Sequence, residues 1–208
     1  MKYNLEHLTQ ETSQMLLGPI QDDEALVLFS IIKTCRFKRI VEIGGLHGYS
    51  AKNFLESVGD DGVVYTIDSN HVNTISPNHI TIIKSVEHVV MDDIKNRVDM
   101  VFFDCHNYNC SLTFFNNMVE CGIIDDETIL VLHDTNLHYK KITSESIYNG
   151  IGWVHQRAER DLTNHFFDVG YQVLNLDTKP EVHNDSFPYR HGLTICKKFK
   201  KFNSEGIS

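Results

Sequence analysis

No window of these 208 residues is long and apolar enough to span a membrane. The opening stretch MKYNLEHLTQETSQ also lacks the apolar region of a signal peptide, so a cytoplasmic location is the expectation. Basic charge is scarce, with 19 Lys and Arg against 28 Asp and Glu and a formal net charge of -9. Such a surface repels a phosphate backbone. The one basic run, KKFKK (Lys197 to Lys201), reads as solvated charge ending the last strand, and nucleic acid is not an expected partner. CxxC spacing is missing: Cys35, Cys105, Cys110, Cys121 and Cys196 are an odd set lying mostly within apolar runs, which reads as reduced, buried thiols. Internal repeats and low-complexity linkers are absent too. The expectation is one domain over 1–208, large enough to bury an ordinary core.

What remains is an alternation of apolar, β-branched runs with helical patterns, as in a sheet wound with crossover helices. DDEALVLFSIIKTC (22–35) starts with acids and carries apolar residues at helical spacing, and it completes an N-terminal helical cap over 1–35. Strands are expected at Arg39–Ile43, Val63–Asp68, His79–Ser85, Val98–Asp104 and Thr128–Asp134, with helices at about 49–58 and 109–121 and a short helix in VEHVVMDDI. HYKKITSESIYNGIG (138–152) is polar with two glycines and reads as a lid. An amphipathic helix stopped at Gly170 follows, then YQVLNLDT and GLTICKK with no helix between them. The fold class is therefore α/β, a Rossmann-like, doubly wound, mostly parallel sheet ending in an antiparallel hairpin.

The most informative segment is VEIGGLHGYSAKNFLE (41–56). In such a sheet, ligands sit at the carboxyl ends of the strands beside the switch point. Glu42, Gly44 and Gly48 fit E-x-G-x-x-x-G, and the dinucleotide fingerprint G-x-G-x-x-G is absent because Leu46 takes the middle place. A carboxylate at the loop favours an ammonium or sulfonium cation over pyrophosphate. Asp68 ends the next strand, where a carboxylate can accept both hydroxyls of a ribose. The pair suits S-adenosylmethionine. The competing reading makes Glu42 a structural cap in a helix-packing loop, which leaves Asp68 unexplained.

VEIGGLHGYSA together with YTID resembles the class I S-adenosylmethionine-dependent methyltransferases, and the loop followed by Tyr49 and Ser50 looks like the catechol O-methyltransferase-like branch. GPIQDDEA (18–25) is similar to the segment closing over the cofactor's methionine end in small O-methyltransferases of the cephalosporin hydroxylase-like group. The resemblance runs from Gly18 to Cys196. It implies cofactor contacts from Gln21, Glu42, Gly44, Gly45, Gly48, Tyr49, Ser50, Asp68, Ser69 and Asp104, with Ser85 and Glu87 near the adenine. Surface polarity accounts for Ser85 and Glu87 about as well.

Two further strand ends, FFDCHNY (102–108) and VLHDTN (131–136), carry ionisable groups. In the metal-dependent O-methyltransferases that the chain resembles, acids at these places bind a divalent ion, and Asp104, His133 and Asp134 stand there. Oxygen donors with one imidazole are compatible with Mg²⁺, and better with Mn²⁺ or Fe²⁺. A divalent ion lowers the pKa of the acceptor hydroxyl and orients it. His106 is the candidate base, with a pKa expected near neutrality. The chain departs from the catechol pattern at Asn107, where that branch has Lys, and at His133, where a carboxylate is usual. The alternative for His133 and Asp134 is a hydrogen-bonded turn after the strand.

Among the twelve histidines, His155 adjoins the lid and Arg190 with His191 adjoins the hairpin's mouth; these three are the expected substrate contacts. Trp153 is either a pocket wall or a core anchor. The expectation is methyl transfer from S-adenosylmethionine to a hydroxyl of a small polar molecule, a sugar or polyol. The alternatives are a metal-dependent hydroxylase or hydrolase on the same fold, or an inactive cofactor-binding module. Whether the chain forms a homo-oligomer is left open.

Overall fold

The computed structural model describes residues 20, 22–45, 48–135, 158–176 and 192–199. Gln21, the lid at 138–152, Trp153, His155, Arg190 and His191 lie outside them. Among the described residues the first helix is α1 (Asp22–Cys35), with Lys33 in its last turn complementing the helix dipole. Its stripe Ala25, Leu28, Phe29 and Ile32 is buried. The strands are β1 (Arg39–Ile43), β2 (Val63–Asp68), β3 (His79–Ile83), β4 (Met100–Phe103), β5 (Ile129–Leu132), β6 (Tyr171–Leu176) and β7 (Leu193–Lys198). Between them stand α2 (Tyr49–Val58), α3 (Tyr108–Glu120) and α4 (Ala158–Asp168).

The seven strands make one sheet in the order β3-β2-β1-β4-β5-β7-β6. Pairings through β5 are parallel, and β7 runs antiparallel to both β5 and β6. The expected mostly parallel sheet with a terminal hairpin is the observed one. Order reverses between β1 and β4, so the carboxyl ends of these strands flank the switch point.

Strand alternation divides the core. Val41, Ile43, Val101, Phe103, Leu130 and Leu132 pack against α3 and α4 through Phe114, Phe115, Met118, Leu162 and Phe166. Ile40, Val64, Met100, Phe102 and Val131 face α1 and α2 through Leu28, Ile32, Phe54 and Val58. Glu42 falls between Val41 and Ile43 and so shares the face of α1 and α2.

Several boundaries differ from expectation. VEHVVMDDI makes two 3-10 turns, Val86–His88 and Met91–Asp93, because Val89 and Val90 between them are extended. β-Branched residues favour that backbone. The strand expected at 98–104 is confined to 100–103, and that at 128–134 to 129–132. Both lose the polar ends that become the site. The five cysteines are free thiols, but Cys35 and Cys121 are exposed because they end α1 and cap α3. Among the described residues, no helix is long and apolar enough to cross a membrane.

Candidate active site

Where β1 ends, Gly44 turns with φ +89°, donates its N–H to the Ile67 carbonyl at 2.9 Å, and lies against β4. A Cβ there would stand 2.4 Å from the Asp104 carbonyl oxygen, so only glycine lets the loop approach the next strand end. Gly48, with φ +78°, is the N-cap of α2 and carries no side chain over the first turn. The Gly45 N–H donates to Asp68 Oδ2 at 3.1 Å, and Asp68 Oδ1 accepts the Asn70 N–H at 2.8 Å. Asp68 thus sits half-buried at the end of β2, beside the loop, with exposed Ser69 next to it. Tyr49 is 37% exposed at the start of α2. Ser85 Oγ donates to Glu87 Oε2 at 2.5 Å after β3.

Glu42 differs from its expected role. It is fully buried beneath the loop, where Ser50 Oγ donates to Oε1 and Thr66 Oγ1 donates to Oε2 at 2.7 Å. Burial pushes its carboxyl up to about 7 against those two hydrogen bonds, with Asp104 and Asp68 adding to the rise. The brace continues outward. The Ile75 N–H donates to His79 Nδ1 at 3.1 Å, which puts the ring proton on Nε2, 2.8 Å from Thr66 Oγ1. Burial lowers the His79 pKa and favours the neutral ring that this chain of donors requires.

The second cluster is built where β4 and β5 end. Asp104 follows β4, His133 and Asp134 follow β5, and their ligating atoms lie within 4.8 Å of one another. His133 continues the alternation of Val131 and faces α1. There its Nε2 meets Glu24 Oε2 at 3.1 Å, while Nδ1 lies 3.2 Å from Asp104 Oδ1 and 3.7 Å from Asp134 Oδ1. Asp134, with φ +55°, presents its other oxygen, Oδ2, to His106, 3.6 Å from Nε2. His106, with φ +53°, is 3.7 Å from Asp104 Oδ1 and is tied to Glu159 on α4 by its backbone N–H at 2.8 Å and its Nδ1 at 2.9 Å.

Electrostatics follow from burial. Burial raises the Asp104 carboxyl, opposed by His133 and His106. For His133, burial disfavours the cation, yet Asp134, Asp104 and Glu24 together hold its pKa well above the ordinary value. Burial likewise opposes the His106 cation, but Glu159, Asp104 and Asp134 raise it to about 9. His106 without a metal beside it therefore favours the cation at neutral pH, where a pKa near neutrality was the expectation. Four carboxylates and two imidazoles crowd one buried edge, and crowded carboxylates favour a cation.

The sequence reading overlooked Glu24, Glu159, Thr66 and His79. A signal existed for two of them. Glu24 precedes Leu28 and Ile32 at helical spacing, and Glu159 precedes Leu162, Thr163 and Phe166 in the same way, so each acid lies on its helix's buried stripe. Both glutamates are 4% exposed or less.

A family model described as O-methyltransferase matches residues 2–199. No curated protein matches the sequence. Among solved structures, an S-adenosylhomocysteine-bound methyltransferase from Podospora anserina, PaMTH1, is similar at 15% identity and TM-score 0.61, over 88% of this chain and 80% of that one. The O-methyltransferase TomG from Streptomyces achromogenes, involved in tomaymycin synthesis and solved with S-adenosylmethionine, is similar at 13% identity and TM-score 0.56, over 88% and 82%. At these identities the likeness is one of fold.

Proposed function

The chain belongs to the O-methyltransferase family, and from that premise we propose that it moves the methyl group of S-adenosylmethionine to a hydroxyl of a small polar molecule, a sugar or polyol, with a divalent ion at Asp104, His133 and Asp134. One observation carries the reading. The glycine loop and the Asp–His–Asp cluster are neighbours, since the position of a Gly44 Cβ is 2.4 Å from the Asp104 carbonyl oxygen. A methyl donor held by the loop and an acceptor held by the cluster therefore meet at one sheet edge.

The residues suit both groups. Gly44, Gly45, Gly48, Tyr49 and Ser50 line the loop and the start of α2, Asp68 at the end of β2 would accept the ribose hydroxyls, and Glu42 braces the loop from below. Ser85 and Glu87 remain the candidates near the adenine, and Gln21 for the methionine end. Asp104, His133 and Asp134 offer two carboxylates and one imidazole, a set that suits Mn²⁺ or Fe²⁺ better than Mg²⁺. The sulfonium supplies the activated methyl; a bound divalent ion would lower the hydroxyl pKa and orient the oxygen.

His106 stands beside this cluster as the proton acceptor. Glu159 accepts its Nδ1 proton and leaves Nε2 toward Asp104 and Asp134. At a pKa of about 9 the ring must first lose its proton. Added positive charge between the two aspartates lowers that pKa toward the range a base needs. His155, Arg190 and His191 remain the proposed acceptor contacts.

A second reading has its own support. His133 spans Glu24 and Asp104 at 3.1 and 3.2 Å, as an imidazolium between two carboxylates would without any metal. One experiment separates the two: release of S-adenosylhomocysteine with a panel of sugars and polyols, with and without chelator. Turnover lost in chelator supports the metal, turnover unchanged supports the imidazolium, and no release from any acceptor counts against the reaction.

A further inference from the structure

Glu24 is a glutamate with no exposed surface on the cap helix α1, far from the strand ends in sequence. Both its oxygens are placed. Oε1 accepts the Gly192 N–H at 2.6 Å, just before β7, and Oε2 meets His133 Nε2 at 3.1 Å. Fixing one oxygen on the backbone sets the plane of the carboxylate, and the other oxygen then aims at the ring. An ionised carboxylate only accepts, so the nitrogen facing it carries a proton.

We propose that Glu24 is the positioning residue that keeps a proton on His133 Nε2 and so turns Nδ1 toward Asp104 and Asp134, making this a nitrogen-bearing site that prefers a transition ion to Mg²⁺. This rests on the metal reading above and adds to it the residue that selects the ligating atom. The ligand spacing agrees: two donors each about 2.1 Å from one ion stand about 3.0 to 3.4 Å apart at right-angle to tetrahedral geometry. Nδ1 of His133 is 3.2 Å from Asp104 Oδ1. Asp134 Oδ1 lies 3.7 Å from the same nitrogen. A carboxylate on the far N–H of a ligating histidine fixes the tautomer and raises the ring's basicity. Imidazole nitrogen favours Mn²⁺, Fe²⁺, Co²⁺ and Zn²⁺, whereas Mg²⁺ prefers oxygen and water. Glu24 also joins α1 to the start of β7, so the ring's orientation depends on the packing of the cap.

The experiment uses the full chain with ¹⁵N-labelled histidine, Zn²⁺ as diamagnetic probe, and calorimetry with Zn²⁺ and Mg²⁺. In the wild type, Nε2 of His133 should keep its proton when Zn²⁺ binds, Nδ1 should be the nitrogen that shifts, and Mg²⁺ should bind more weakly. Glu24→Leu should lower Zn²⁺ affinity about 10- to 100-fold and lose the Nε2 proton signal, while S-adenosylhomocysteine still binds. Glu24→Gln has one acceptor oxygen for two donors, the Gly192 N–H and the Nε2–H, so it should also weaken Zn²⁺ binding, by less than leucine, and move the Nε2 proton resonance upfield; it serves as the readout if the leucine variant does not fold. Zn²⁺ bound through Nε2, or both variants matching the wild type in affinity and proton signal, would overturn the role of Glu24. A wild type that takes up no Zn²⁺ would overturn the metal reading, together with the proposed metal preference. The role of Glu24 in holding the ring is then decided by the spectra of the metal-free protein, standing if Glu24→Leu loses the Nε2 proton that the wild type keeps.

Discussion

Gly44 and Asp104 touch across the switch point: the Gly44 backbone, at φ +89°, lies so close to the Asp104 carbonyl that no side chain fits between them. This contact joins the proposed cofactor loop to the proposed metal cluster. Gly44→Ala must both hold a strained φ and push β4 away. It should lose about 1 to 3 kcal/mol of stability and bind S-adenosylhomocysteine more weakly, read by denaturant unfolding and calorimetry. An alanine variant as stable as the wild type would show that the loop has room to move.

Asp68→Ala removes the acceptor proposed for ribose hydroxyls and also frees the Gly45 N–H. S-adenosylhomocysteine affinity should fall by about 1.5 to 3 kcal/mol, measured by calorimetry. An unchanged affinity would remove Asp68 from the binding surface.

Burial pushes the Glu42 carboxyl of the folded protein up to about 7, above the ordinary 4.5. A carboxyl whose pKa is raised on folding favours the folded state at low pH, and that advantage is lost as pH rises from about 4.5 through 7. Glu42→Gln cannot ionise. Without cofactor it should gain stability relative to the wild type at pH 8 and show little gain at pH 5. Thermal melts at the two pH values check this; a difference independent of pH would mean that Glu42 does not titrate in this window.

The His106 cation depends on Glu159. Because its folded pKa of about 9 exceeds the ordinary 6.5, His106 contributes stability that is complete below about 6.5 and is lost as pH rises through 9. Glu159→Gln should move the His106 titration, followed by NMR without metal, down toward neutrality and weaken that decline. An unmoved titration would assign the shift to the aspartates alone.

Much of the fold was legible because periodicity carries it. The boundaries of α1, β1, α2 and β2 are those that apolar spacing and glycine placement imply. The strand ends were less so, since Asp104, His133 and Asp134 continue a run in sequence but leave the ladder in space. Loop glycines and Asp68 could be singled out as candidates because their pattern is local in sequence. Glu24 and Glu159 could not be matched to His133 and His106 from sequence, because those partnerships span 109 and 53 residues and depend on how α1 and α4 pack. Glu42 was legible as a residue but not as a brace, since Thr66 reaches it from β2 and His79 backs Thr66 from β3.

The central claim is that cofactor loop and metal cluster form one site, and it can be tested without knowing the acceptor. S-adenosylmethionine carrying a ¹³C methyl group is bound to the protein and Mn²⁺ is added while the methyl resonance is followed. The expected result is strong paramagnetic broadening of the bound methyl signal, reversed by chelator and absent in Asp134→Ala, which should still bind the cofactor. A bound methyl signal left sharp by Mn²⁺ in the wild type would contradict the account.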